Sequence, residues 1–200
     1  MTGKTHMIVG ATAAVALSGG VPFISFPLAV ICSVIGSLIP DIDHPNSLAS
    51  TANPFMRVVS FIVRKAVIPT IAVIINSIAV VIGRTGISIK DARTGHRGPI
   101  THSPIGALLW TLPVALVFGF SGVPTKFVFI GIMSHIIADM LNPQGAPLLY
   151  PFVSKNISLA KIRTGSGTEH LFKMAMIGVL FVVSVNAVYG IIGIDSIFPF

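Results

Sequence analysis

Five of the six histidines and four of the six acidic residues fall into short islands at the edges of very apolar stretches. The islands are His6, Pro40-Asp41-Ile42-Asp43-His44, His96-Arg97 through Thr101-His102-Ser103, Ser134-His135 through Asp139, and Glu169, with the sixth histidine, His170, beside it. Only 10% of the chain is charged, so these carboxylates are not spread for solubility. Asp, Glu and His near lipid are costly unless they pair with each other or with a cation. A polynuclear metal site at one face of a membrane domain accounts for all the islands at once.

The spacings support that chemistry to different degrees. His135 and Asp139 stand at i and i+4, one above the other on a helix, and can chelate one ion. A plain His–Asp hydrogen bond inside a bundle would look the same. Asp41 and Asp43 are one residue apart between two prolines, so an extended backbone points both carboxylates to one side, with His44 adjacent. A solvated loop closing a helix would also place charges there. His96 and His102 flank the Gly98-Pro99 turn, which can fold both imidazoles inward or leave them on a basic surface loop. Arg97 can clamp a phosphate in bidentate fashion or anchor to headgroups. Glu169 alone suits the first turn of a helix.

Taken together, His6, Asp41, Asp43, His44, His96, His102, His135, Asp139 and Glu169 are nine candidate ligands. One zinc takes about four, so full use implies two or three ions. All-nitrogen and oxygen ligation suits Zn2+, with Mn2+ or Fe2+ as alternatives. Such a centre activates water for attack on phosphorus or a carbonyl carbon, Asp43 taking the proton and Arg97 steadying the developing anion. No His-Glu-x-x-His helix, Gly-x-Ser-x-Gly elbow or phosphate-cradling Gly-Lys-Ser/Thr loop is present.

The elements that must position these groups are apolar helices. The chain has 200 residues, is 53% hydrophobic and has a mean hydropathy of +0.91, which points to an all-α integral membrane domain. Its uncharged runs allow four to six crossings, and the expected architecture is about five transmembrane or membrane-embedded helices in a single domain, residues 1–200. The run from Met7 to Pro40 is broken at Gly19-Gly20, Pro22 and Pro27 into two helices, returning Asp41 to the side of His6. That run continues too far beyond Gly20 for a cleaved leader. Ser103-Pro104 starts a helix that ends near Gly119; the segment after Pro124 returns to deliver His135 and Asp139; a last helix, about Leu171–Gly193, departs from Glu169. Phe55–Gly83, broken at Pro69, is expected as a hairpin or a surface-lying pair of helices, with residues 66–91 as an insertion.

On this topology 12 of the 13 Lys and Arg, all but Lys126, share the motif face, which is then cytoplasmic. The +7 charge is juxtamembrane and not interleaved with aromatics, so no nucleic-acid partner is expected. The expected partners are membrane lipids and a small-molecule or lipid phosphoester. The single Cys32 excludes an internal disulfide and a thiolate zinc site.

The island order resembles the YdjM family of bacterial inner-membrane proteins. It is carried by His6, Pro-Asp-Ile-Asp-His-Pro (40–45), His-Arg-Gly-x-x-Thr-His-Ser (96–103) and Ser-His-Ile-Ile-Ala-Asp-Met-Leu-Asn-Pro-Gln-Gly (134–145). Pro147 to Pro151 and Glu169 look like that family's next segments. Two features depart from the pattern: an apolar insertion around Ala66–Asp91, and Tyr150 where the family more often has Trp. The resemblance implies a membrane-bound, metal-dependent hydrolase. The family in turn is distantly similar to zinc-dependent phospholipase C and P1-type nucleases, which use His-x-x-x-Asp and a late Glu in a three-zinc site. A metal-ion transporter would place such residues mid-helix along a path. A non-catalytic membrane protein with a structural metal would saturate the coordination.

Overall fold

The computed structural model describes residues 1–81, 98–150 and 155–191. Among them the regular structure is helical, with one isolated bridge between Ala146 and Ile157. Helix α1 (Gly3–Ala16) ends at Leu17, and the turn beyond it passes through Gly20 at φ 78°, a conformation that favours glycine. A 3-10 turn at Phe23–Ser25 leads into α2 (Phe26–Gly36), with Pro27 in its first turn. The chain returns alongside α1, and the Ser33 hydroxyl donates to the Gly10 carbonyl at 2.8 Å. Two helices joined at the glycines are thus present as the sequence predicts.

After α2 a second 3-10 turn, Pro40–Asp43, carries the first acidic island. The short α3 (Leu48–Thr51) and α4 (Pro54–Ile62) follow, capped by the side chains of Ser47 and Asn53. Here the structure departs from expectation. The chain does not break at Pro69. It continues from α4 through a π-helical turn, Val63–Val67, into α5 (Ile68–Val81). A proline removes one backbone donor and crowds the carbonyl four residues back; the widened turn just before Pro69 relieves that conflict without ending the helix. The two limbs expected over Phe55–Gly83 are thus continuous as far as Val81, and residues 82–91 of the expected insertion lie outside the described residues.

Helix α6 (Pro99–His102) is a single turn. The Ser103 side chain caps α7 (Pro104–Phe118), accepting from the Gly106 amide at 3.0 Å, and α7 stops at Gly119 with φ 81°. Helix α8 (Val123–Asp139) returns through the middle of the bundle, packing against α1, α2 and α7. Its Phe127, Ile132 and Ile136 are fully buried. Helix α9 (Gly167–Ile191) lies against α1.

Among the described residues three stretches are long and apolar enough to cross a membrane: Phe23–Asp43, Pro54–Ile75 and Gly167–Gly190, of 21, 22 and 24 residues. Pro104–Phe118 is a shorter apolar helix, and α1 and α8, at 14 and 17 residues, also fall short of a full span.

Glycine decides how closely the central helices meet. A Cβ at Gly36 would run into the Val128 backbone, and one at Gly131 into the Ser33 carbonyl. At Gly10 it would press on Ser37. Three small residues therefore bring α1, α2 and α8 nearly backbone to backbone, one turn from the histidines.

Candidate metal centre

The ends of five segments meet at one end of this bundle. His6 lies in the first turns of α1, Asp41 and Asp43 in the turn after α2, and His102 just before α7. His135 and Asp139 occupy the last turns of α8, and Glu169 the first turn of α9. Helix ends put side chains from distant sequence positions together only if each helix runs in the right sense, and the alternation expected from the breakers supplies it.

His135 is at the centre. Its ring stacks on His6, centroids 3.6 Å apart and 14° between planes, and meets His102 edge-on at 5.2 Å. Its Nε2 lies 3.7 Å from Asp41 Oδ1 and 3.6 Å from Asp139 Oδ2. Asp139 Oδ2 is also 3.8 Å from His102 Nε2. Among the described residues two sets of three side chains have ligand atoms close enough to hold an ion: His6, Asp41 and His135, and His102, His135 and Asp139. All five residues are buried.

Hydrogen bonds fix which nitrogen faces inward. His135 Nδ1 lies 2.7 Å from the Ser37 carbonyl, which can only accept, so Nδ1 carries the proton and Nε2 presents its lone pair. Ser37 is within reach because Gly36 and Gly131 let α2 and α8 close up. At His102 the Thr101 hydroxyl, 2.8 Å from Nδ1, donates to Asp43 Oδ2 at 2.7 Å. Having one proton, it accepts from Nδ1–H, which again directs Nε2 inward. Burial pushes His102 down to about 3, against the opposing pull of Asp43, so the ring stays neutral as a metal ligand must.

Asp139 divides its oxygens. Oδ1 accepts from the Asn142 amide at 2.9 Å and the Met1 ammonium at 2.8 Å, while Oδ2 points at the histidine pair. Both ring nitrogens of His6 and Nε2 of His135 are buried with no hydrogen-bond partner among the described residues. Leaving such atoms bare costs about 1–3 kcal/mol each, and a cation among them removes the cost at His135 and at one His6 nitrogen. The donor set and these bare nitrogens fit a divalent metal.

The remaining candidates stand as follows. Asp43 is held by Thr101 and lies 3.7 Å from His102 Nδ1, outside both sets of three. His44 is half-buried, and its Nδ1 accepts from the Asn46 amide at 3.3 Å. Glu169 accepts from the Thr2 amide at 2.5 Å, the Thr5 hydroxyl at 2.7 Å and the Gly165 amide at 2.6 Å. It caps α1 beside His6 and belongs to neither set. His96 and Arg97 lie outside the described residues. Both sets draw on His135, whose Nδ1 is already committed to Ser37, so its one lone pair serves one ion at a time. Thr101, Asn142 and the Ser37 carbonyl carry positioning roles that residue type alone did not announce. Asn142, three residues after Asp139, was the most readable of them.

The fold and centre define a helical membrane-type protein with a buried His/Asp cluster able to hold a metal. The chain matches the family model described as YdjM inner membrane protein over residues 1–195 and belongs to that family. No curated protein and no solved structure matches it.

Proposed function

We propose that the cluster is the centre of a metal-dependent hydrolase at the cytoplasmic face of the inner membrane, in a multi-pass chain, acting on a phosphoester of a lipid or lipid-linked substrate. The observation that carries this reading is the convergence of His6, Asp41, His102, His135 and Asp139, with buried ring nitrogens aimed at a common space. Nitrogen and oxygen donors without thiolate favour zinc; manganese or iron would also suit them. A bound divalent ion supplies Lewis acidity and lowers the pKa of water. The protein's own contribution is positional. Ser37 and Thr101 hold two imidazoles in the ligating tautomer, and the surrounding helices bury the five ligand residues. Asp43, half-buried and tethered by Thr101, would take a proton from water. Arg97, at the start of the same island, would pair with a phosphate oxygen.

One observation favours a second reading, a structural metal. His6, His102 and His135 are each 0% exposed, as in closed sites. Assay of metal-reconstituted protein against phosphomonoester and phosphodiester lipids separates the two. The hydrolase reading expects turnover that falls by about 10²–10⁴-fold in Asp43→Asn while metal content is kept. Full metal loading with no hydrolysis of either class would leave the structural role.

A further inference from the structure

The stretch Pro54–Ile75 has the length and hydropathy of a membrane span, yet Arg64 and Lys65 are the eleventh and twelfth of its 22 residues. Crossing would put two cations at the bilayer centre, where charge is costly. The contacts of this stretch point elsewhere. The Ser60 hydroxyl donates to the Ile42 carbonyl at 2.8 Å, and Val63 and Ile68 pack with Ile42 and Ile100. Ile42 lies between Asp41 and Asp43, and Ile100 two residues before His102. The middle of the stretch is therefore level with the metal centre, where α2 ends and α7 begins. A helix running beside those two would instead hold its middle against theirs.

Its faces are also sorted. Ser60 and Val63 are buried against the protein, with Met56 and Val59 partly so. Phe55, Val58, Phe61 and Ile62 are exposed. Arg57 and Arg64, seven residues apart, form one stripe on the flank, and Lys65, about 100° further round the helix, is exposed on the side of Phe61. No acidic residue occurs between Pro45 and Val81. Apolar side chains on one exposed face and unopposed cations along its edge are the pattern of a helix lying in a membrane interface.

We infer that Pro54–Val67 lies in the plane of the membrane surface that bears the metal centre and binds the headgroups of anionic phospholipids through Arg57, Arg64 and Lys65. The surface would gather anionic lipid beside the centre, and its existence does not depend on the centre being catalytic or loaded.

The test uses the full chain with Cys32→Ala, spin-labelled at Arg57→Cys, Lys65→Cys or Val179→Cys and reconstituted in vesicles of phosphatidylcholine and phosphatidylglycerol. Collision with a water-soluble nickel chelate and with oxygen reports depth. Labels at 57 and 65 are expected at the same shallow depth, with that at 179 near the bilayer centre. A label at 65 as deep as that at 179 would overturn the in-plane helix. Preference for spin-labelled phosphatidylglycerol over phosphatidylcholine should fall several-fold in the Arg57→Gln, Arg64→Gln, Lys65→Gln triple variant, and also in the unaltered chain on raising salt. A preference unchanged in both would overturn headgroup binding. Metal content, expected to be unaltered in the triple variant, reports on the centre separately.

Discussion

Helix α8 ends, and helix α9 begins, at the buried His/Asp cluster, but they are held there by different means. Helix α8 is enclosed: Phe127, Ile132, Ile136, His135 and Asp139 are all buried, and glycine at 131 lets α2 approach backbone to backbone. In helix α9 no residue from Leu171 to Gly190 is fully buried, and the carboxylate of Glu169 ties its start to Thr2, Thr5 and Gly165. One helix is positioned by packing on several sides along its length, the other by contact with α1 on one side and by charge-assisted hydrogen bonds at its first turn. Ligand geometry should therefore be sensitive to volume changes along α8, and in α9 to changes at its first turn more than on its exposed face.

Gly131→Val should have the largest effect. Its side chain would collide with the Ser33 carbonyl, costing about 3 kcal/mol and displacing His135 from Ser37, read as a lower melting temperature together with lost metal. Thr101→Val removes the acceptor that orients His102 and should weaken metal affinity about 10–100-fold by competition titration, while Thr101→Ser restores it. Glu169→Gln should cost about 1.5 kcal/mol in chemical denaturation by weakening three hydrogen bonds to a carboxylate. Val179→Ala, exposed midway along α9, should change stability by less than about 0.5 kcal/mol. If Val179→Ala proved as damaging as Gly131→Val, the contrast between the two helices would be lost.

The features legible in the sequence are those set by neighbouring residues. Ser103-Pro104 marked a helix start, Gly119 its end, and the four-residue step from His135 to Asp139 a shared face; the structure has each. The alternating helix directions followed from the constraint that the islands meet. What could not be read depended on partners far along the chain. The Ser37 carbonyl reaches His135 only because two helices close over glycines at 36 and 131, and Glu169 finds Thr2 and Thr5 more than 160 positions away. Pro69 misled because a proline's conflict can be absorbed by a π turn, which leaves no signature in residue type.

The proposed function makes His135 the organiser of a metal centre. Elemental mass spectrometry of the detergent-purified protein after reconstitution with zinc, manganese or iron, wild type beside His135→Ala and Asp41→Ala, tests it most directly. At least one equivalent in the wild type, lost in both variants, is the predicted result. No stoichiometric metal in the wild type, or metal retained in His135→Ala, would contradict it.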